Sequence, residues 1–186
     1  GDVMAGNLGE MPGARFFMDS WLMAGLLAVM PFSTSLGAMA TVVEDKRNGV
    51  YKDFASSPVS RSKIAAGYIY SGLIISLVLT FMGFVLAEVY IVAKGGQLLK
   101  MPAVFMALAL LFLSCGLANI MMFAMVSWFE SLNAYSAAAT VLGTLFGFLT
   151  GIYIPIGSLP SYMQTIIKAF PPSHLAVLLR HVLMEP

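Results

Sequence analysis

The chain has 186 residues, 59% of them hydrophobic, 12% aromatic and only 10% charged, with a mean hydropathy of +0.87. Soluble domains carry about 25% charged residues, so this surface cannot cover a globule in water, which argues against a soluble enzyme or a disordered regulator. The formal net charge is +1 with the basic residues scattered, so nucleic acid is not a partner and the class is an integral membrane protein.

Residues 1–20 hold Asp2, Glu10, Arg15 and Asp19, with three glycines among the first nine, which is not the pattern of a secretory leader. The chain begins with glycine and is expected to be a piece of a longer protein. The first uncharged run, Trp21 to Val43, is long enough to span, since about 20 residues at about 1.5 Å each cross about 30 Å of hydrocarbon. Within it, Pro31 with Ser33, Thr34 and Ser35 predicts a kink and a polar patch. Nearby hydroxyls satisfy the carbonyl that a proline frees, and a lining for a substrate path is the second reading.

The loop 44–63 carries Lys46, Arg47, Lys52, Arg61 and Lys63, five basic residues in twenty positions. Tyr51 and Phe54 stand three apart and share a face if the segment is helical. Ser56, Ser57 and Pro58 stop that helix, because the residue before proline is pushed out of the helical region. Ser60 or Ser62 can cap the helix that follows. A short amphipathic helix here is a candidate docking element, against the plainer reading of a charged loop.

The second span is expected over 64–93 and the third over 101–127. Glu88 is the sharpest candidate within a span, the one Asp, Glu, Lys or Arg there. Such groups are costly and often functional, although this one sits near a membrane interface. The short turn 128–134 contains Trp128 and Glu130. The fourth span is expected over 135–154, where Gly143, Gly147 and Gly151 recur every four residues and let helix backbones approach closely, within the chain or between two chains. Pro155, Gly157 and Pro160 then break the run. In 155–186, one short helix is expected from Ser161 to near Phe170 and another capped by Ser173 and running through His181. His174 and His181 alone do not make a metal site. The single Cys115 lies in an apolar run and has no partner for a disulfide.

These runs are apolar on every face, unlike the alternating strands of a barrel. The fold is therefore expected to be all-α: a polytopic membrane helix bundle with four transmembrane helices and short extracellular helices. The dense basic loop 44–63 is placed in the cytoplasm by the positive-inside rule. That puts 1–20 and 155–186 outside. Trp21, Tyr90, Trp128 and Tyr135 fall near span ends, where amphipathic rings prefer the interface.

The run Glu-Asp-Lys-Arg-Asn-Gly at 44–49, followed by Ser-Ser-Pro-Val-Ser-Arg at 56–61, resembles the cytoplasmic loop of ABC type-2 transporter permeases. Ile154-Pro-Ile-Gly-Ser-Leu-Pro160, then Ala169-Phe-Pro-Pro172 and Arg180, resemble the broken extracellular segment after that family's fifth span. The resemblance covers nearly the whole chain. Val50-Tyr51-Lys52 departs from it, where many members carry threonine and a second acidic residue. The resemblance implies a fragment of a six-helix permease, lacking its first and last spans.

What the resemblance implies for function is a permease subunit of an exporter in the plasma membrane of the cell. It would move a drug, lipid or other amphipathic molecule, driven by ATP hydrolysed on a separate ABC ATPase. No Gly-x-x-x-x-Gly-Lys-Ser/Thr loop is present, so ATP and Mg are expected on that partner, with no cofactor on this chain. The other expected partners are a second permease, as homodimer or heterodimer, and membrane lipid. By position, Glu44, Asp45, Arg47, Tyr51, Phe54, Pro58 and Arg61 are candidates for the ATPase-coupling loop, and Glu130 for a second cytoplasmic contact. Gly143, Gly147 and Gly151 are candidates for helix packing or a dimer face. Pro31, Ser33, Ser35 and Glu88 are candidates for a pathway. The competing readings are a secondary transporter or channel, which would need midplane carboxylates, an intramembrane enzyme, which would need a nucleophile and base at depth, and a non-transporting membrane scaffold.

Overall fold

A computed structural model describes residues 14–94, 98–150, 167 and 171–184. Among these residues all regular structure is helical, in six helices: α1 Ala14–Arg47, α2 Val50–Ser56, α3 Arg61–Ala93, α4 Met101–Val126, α5 Leu132–Leu149 and α6 Pro171–Met184. The all-helical expectation holds. α1, α3 and α4 are long and apolar enough to cross a membrane; α1 and α3 contain the stretches expected over 21–43 and 64–93, and α4 covers 101–127 except its last residue, Ser127. α5 is shorter at 18 residues. It begins three residues before the expected fourth span, and 151–154 lie outside the described residues.

Local chemistry sets the helix ends. α1 runs unbroken through Pro31 and ends on Lys46 and Arg47, cations that complement the negative end of the helix dipole. Asn48 and Gly49 make the turn into α2, and Gly49 takes φ 79°, a left-handed conformation in which a side chain is strained. α2 stops at Ser57, extended at φ −84°, ψ 156° before Pro58. Ser60 occupies the capping position of α3, as expected, but its side chain makes no capping bond. Its Oγ lies 3.2 Å from Ser62 Oγ. Lys100 precedes α4, and Pro102 sits in its first turn, where a missing N–H costs nothing.

The expected cap at Ser173 is corrected. α6 begins at Pro171, so Ser173 lies inside its first turn, with its hydroxyl donating to the Ile167 carbonyl at 2.5 Å. The paired prolines pre-set the helical φ and start the helix earlier than a serine cap would. The helix expected from Ser161 falls outside the described residues apart from Ile167.

α1 is the hub and packs on all five other helices. Two apolar clusters stack along it. One joins Leu27 of α1 to Phe84 and Ile91 of α3, Leu111 of α4 and Leu179 of α6. The other joins Phe32, Met39 and Val43 of α1 to Met122 of α4 and Tyr135 and Phe146 of α5. Between lipid-facing helices hydrophobicity alone gives no preference, so close packing and polar contacts must supply specificity. Two glycines on α3 show this. A Cβ at Gly72 would meet Met39 Cε and Asn119 Oδ1, and one at Gly83 would meet Met30 Sδ.

Candidate functional site

Three polar features stand at different heights along α1. At the end where α1, α3, α4 and α5 meet the turns 48–49 and 127–131, α2 is held against the last turn of α1. Asn48 N–H donates to the Glu44 carbonyl at 2.8 Å, Gly49 N–H to Lys46 at 3.4 Å, and Lys52 N–H to Gly49 at 2.8 Å. Ser56 and Ser57 hydroxyls fold back onto the Asp53 and Phe54 carbonyls, both at 2.8 Å, and close the helix. Phe54 remains 37% exposed on this small helix, an apolar ring left in the open. The Tyr51 side chain lies outside the described positions.

Of the other loop candidates, Glu44, Arg47, Pro58 and Arg61 are exposed. Asp45 instead turns inward, where Tyr68 Oη of α3 donates to its Oδ2 at 2.6 Å. Lys46 Nζ donates to the Ser127 carbonyl at the end of α4, at 3.1 Å. Glu130 is exposed, and Trp128, two residues before it, is 88% exposed. Phe129 packs edge-on against Tyr135, with centroids 5.7 Å apart, and Tyr135 Oη donates to the Leu36 carbonyl.

Deeper in the bundle, hydroxyls gather where α1 crosses α3. Thr34 Oγ1 donates to the Met30 carbonyl at 2.7 Å, and Ser35 Oγ to the Pro31 carbonyl at 2.6 Å. Ser76 Oγ lies 3.1 Å from Thr34 Oγ1 and 3.3 Å from Ser35 Oγ. The polar patch expected around Pro31 is present, and α3 completes it. The seam continues through Thr80, which accepts a long contact from Cys115 Sγ at 3.6 Å, to Asn119, whose Nδ2 donates to the Cys115 carbonyl at 2.8 Å. Pro31 and Ser35 are buried, whereas Ser33 faces outward from the other side of α1. The four pathway candidates therefore do not line one surface.

At the opposite end, Glu88 is only 9% exposed. Its Oε2 accepts from Leu99 N–H at 3.5 Å, just before α4 begins. A carboxylate there complements the positive end of that helix dipole. Arg180 of α6 is 7% exposed. Its guanidinium carbon stands 3.7 Å from the Trp21 ring centroid, and Nη2 donates to the Thr150 carbonyl at 3.0 Å. Trp21 thus serves as a platform for a cation as well as a ring at a span end. On α5, Gly147 is buried, a Cβ on Gly143 would meet nothing within 4 Å, and Gly151 lies outside the described residues. Among the described residues no group of three or more His, Cys, Asp or Glu could hold a metal ion.

Sequence reasoning missed Lys46, Tyr68, Ser76, Asn119 and Ser127 as partners in these contacts. Only a pairing signal between helices would have found them, and an apolar helix has no periodicity that fixes its rotation.

Comparison with known proteins decides the family. The family model described as ABC-2 type transporter matches residues 3–184, nearly the whole chain. The chain belongs to the ABC-2 type transporter family. It is 30% identical over 148 residues to the linearmycin resistance permease protein LnrN of Bacillus subtilis (strain 168). That match spans 80% of this chain and 37% of the relative, so the chain corresponds to well under half of the curated permease. No solved structure matches it. Membership of this family agrees with the three helices long and apolar enough to cross a membrane. The loop 44–61 and the tail 154–180 that carried the resemblance both fall inside the matched region.

Proposed function

We propose that this chain is the transmembrane part of an ABC exporter permease, with α2 as the element that docks on a separate ATPase. The observation that carries the reading is the exposed Phe54 on a seven-residue helix fixed at the end of α1, in a chain of the ABC-2 family. An apolar ring on a short helix fits a groove on a partner, while Glu44, Arg47 and Arg61 around it set register and steering. Tyr51 and Pro58 belong to the same loop. Trp128 and Glu130 supply a second, smaller contact from the turn after α4.

In this reading ATP and Mg bind the partner, and this chain performs no hydrolysis. The complex sits in the plasma membrane with 44–63 in the cytoplasm and 1–20 and 155–186 outside. Two permeases assemble, as homodimer or heterodimer, and the outward Gly143 face of α5 is the candidate contact. The cargo is a drug, lipid or other amphipathic molecule moved outward. A relative named as a linearmycin resistance permease supports that class. Membrane lipid covers the leucine-rich groove between α4 and α6, lined by Leu110, Leu113, Leu117, Leu175 and Leu178.

The test is Phe54→Asp in the full-length protein, reconstituted with its ATPase. The variant is expected to insert normally and to separate ATP hydrolysis from transport. Coupled transport at the normal rate by that variant would overturn the docking assignment.

A further inference from the structure

Among the described helices, α2 packs appreciably on α1 alone. Any displacement of α2 therefore enters the bundle through the last turn of α1, and through the chain 57–60 into α3. α4 is joined to α2 along the chain only through the whole length of α3. What joins these three helices at that level is a pair of contacts made by consecutive residues. Asp45 accepts from Tyr68 Oη of α3 at 2.6 Å, and Lys46 donates to the Ser127 carbonyl of α4 at 3.1 Å. Neighbours in a helix point about 100° apart, so one turn of α1 grips two different helices.

The chemistry of each contact suits a grip that survives movement. Tyr68 to Asp45 is a short bond onto a carboxylate, about twice the strength of a neutral one. Lys46 sets a cation against the carbonyl end of α4, where the helix dipole favours it. The neighbouring contacts at this level are apolar, and the hydroxyl seam of Thr34, Ser35 and Ser76 lies deeper in the bundle, so here these two contacts supply the polar grip. The contact also sits at the root of α2, between Glu44 and Gly49, which are themselves bonded into the α1–α2 turn.

We propose that Asp45 with Tyr68, and Lys46 with Ser127, form a two-sided clasp that makes α1, α3 and α4 move as one body when α2 is displaced. Asp45, Lys46 and Tyr68 are positioning residues for energy coupling, and Asp45 acts from inside the bundle rather than on the ATPase surface. The inference rests on the reading of α2 as the ATPase dock.

The experiment uses the full-length protein with its ATPase in nanodiscs, with Cys115→Ala and a bimane attached either at Lys94→Cys beyond the far end of α3 or at Lys100→Cys before the far end of α4. The probes are ATP with vanadate, and the readouts are ATP hydrolysis and the nucleotide-driven change in bimane emission. Tyr68→Phe and Lys46→Met are expected to bind the ATPase and hydrolyse ATP like the parent, Tyr68→Phe losing the emission change at position 94 and Lys46→Met losing that at position 100. Asp45→Asn, which keeps an acceptor for Tyr68, and Lys46→Arg, which keeps a donor, are expected to retain them. Tyr68→Phe keeps the ring that packs on the core, and Lys46→Met tests the other arm independently. A full emission change in both loss variants overturns the clasp while leaving the dock intact. Loss of ATPase binding in those variants also overturns it, because the contacts would then be structural. If the parent itself holds no ATPase, the docking reading falls and the clasp with it.

Discussion

The Arg180 guanidinium lies 3.7 Å from the centroid of the Trp21 ring, with its Nη2 on the Thr150 carbonyl, so one buried cation joins α6, α1 and α5. The contact brings residues 159 positions apart to the same end of the bundle, next to the Glu88–Leu99 contact in height. Both sit opposite the end that carries α2.

Stacking on a desolvated indole contributes about 2 kcal/mol, and a hydrogen bond to a charged group about 1.5–3 kcal/mol. Arg180→Ala, which removes both, is therefore expected to lower the stability of the detergent-solubilised protein by about 3.5–5 kcal/mol. Arg180→Lys keeps the charge but loses the planar face, and should recover only part of it. Thermal unfolding followed by circular dichroism measures both. Equal midpoints for parent and Arg180→Ala would show the stack to be incidental.

Gly72 and Gly83 are both close-approach positions, yet they are expected to respond differently. At Gly83 the obstacle is the flexible end of Met30, which can swing aside. At Gly72 the obstacles include Asn119, anchored by its bond to the Cys115 carbonyl. Gly72→Ala should cost about 1–3 kcal/mol, the range for overpacking, and Gly83→Ala less than about 1 kcal/mol. Gly37→Ala, whose Cβ meets nothing within 4 Å, serves as the neutral control in the same unfolding series.

Tyr135→Phe removes the hydroxyl that reaches the Leu36 carbonyl and leaves the edge contact with Phe129 in place. A loss of about 1 kcal/mol is expected. Ser76→Ala removes the α3 member of the hydroxyl cluster and should also cost about 1 kcal/mol, as interhelical bonds in membranes do. The two sites share no partner, so the double variant should show the sum of the two.

The spans were legible because about 20 uncharged residues have few other solutions in a bilayer. So was the end of α2, where Ser57 before Pro58 closes the helix as its backbone requires. The polar patch at Pro31 was legible too, but not Ser76, which completes it from another helix. The reason is rotational. α3 and α4 are apolar all round, and no stripe says that Tyr68 faces Asp45 or that Gly72 faces Asn119. Asp45 was grouped with its charged neighbours by sequence position, whereas the turn of α1 sends it inward and leaves Glu44 and Arg47 outside. Trp21 was read as an interface ring because nothing along the chain links it to Arg180.

The central claim is that an ATPase docks on α2. Its most direct test is affinity capture of the full-length protein from native membranes in mild detergent, with mass spectrometry of the proteins that follow. The account predicts a soluble ATPase carrying a phosphate-binding loop, present with the parent chain and lost with Phe54→Asp. Recovery of the permease alone, under conditions that hold a known exporter together, would contradict it.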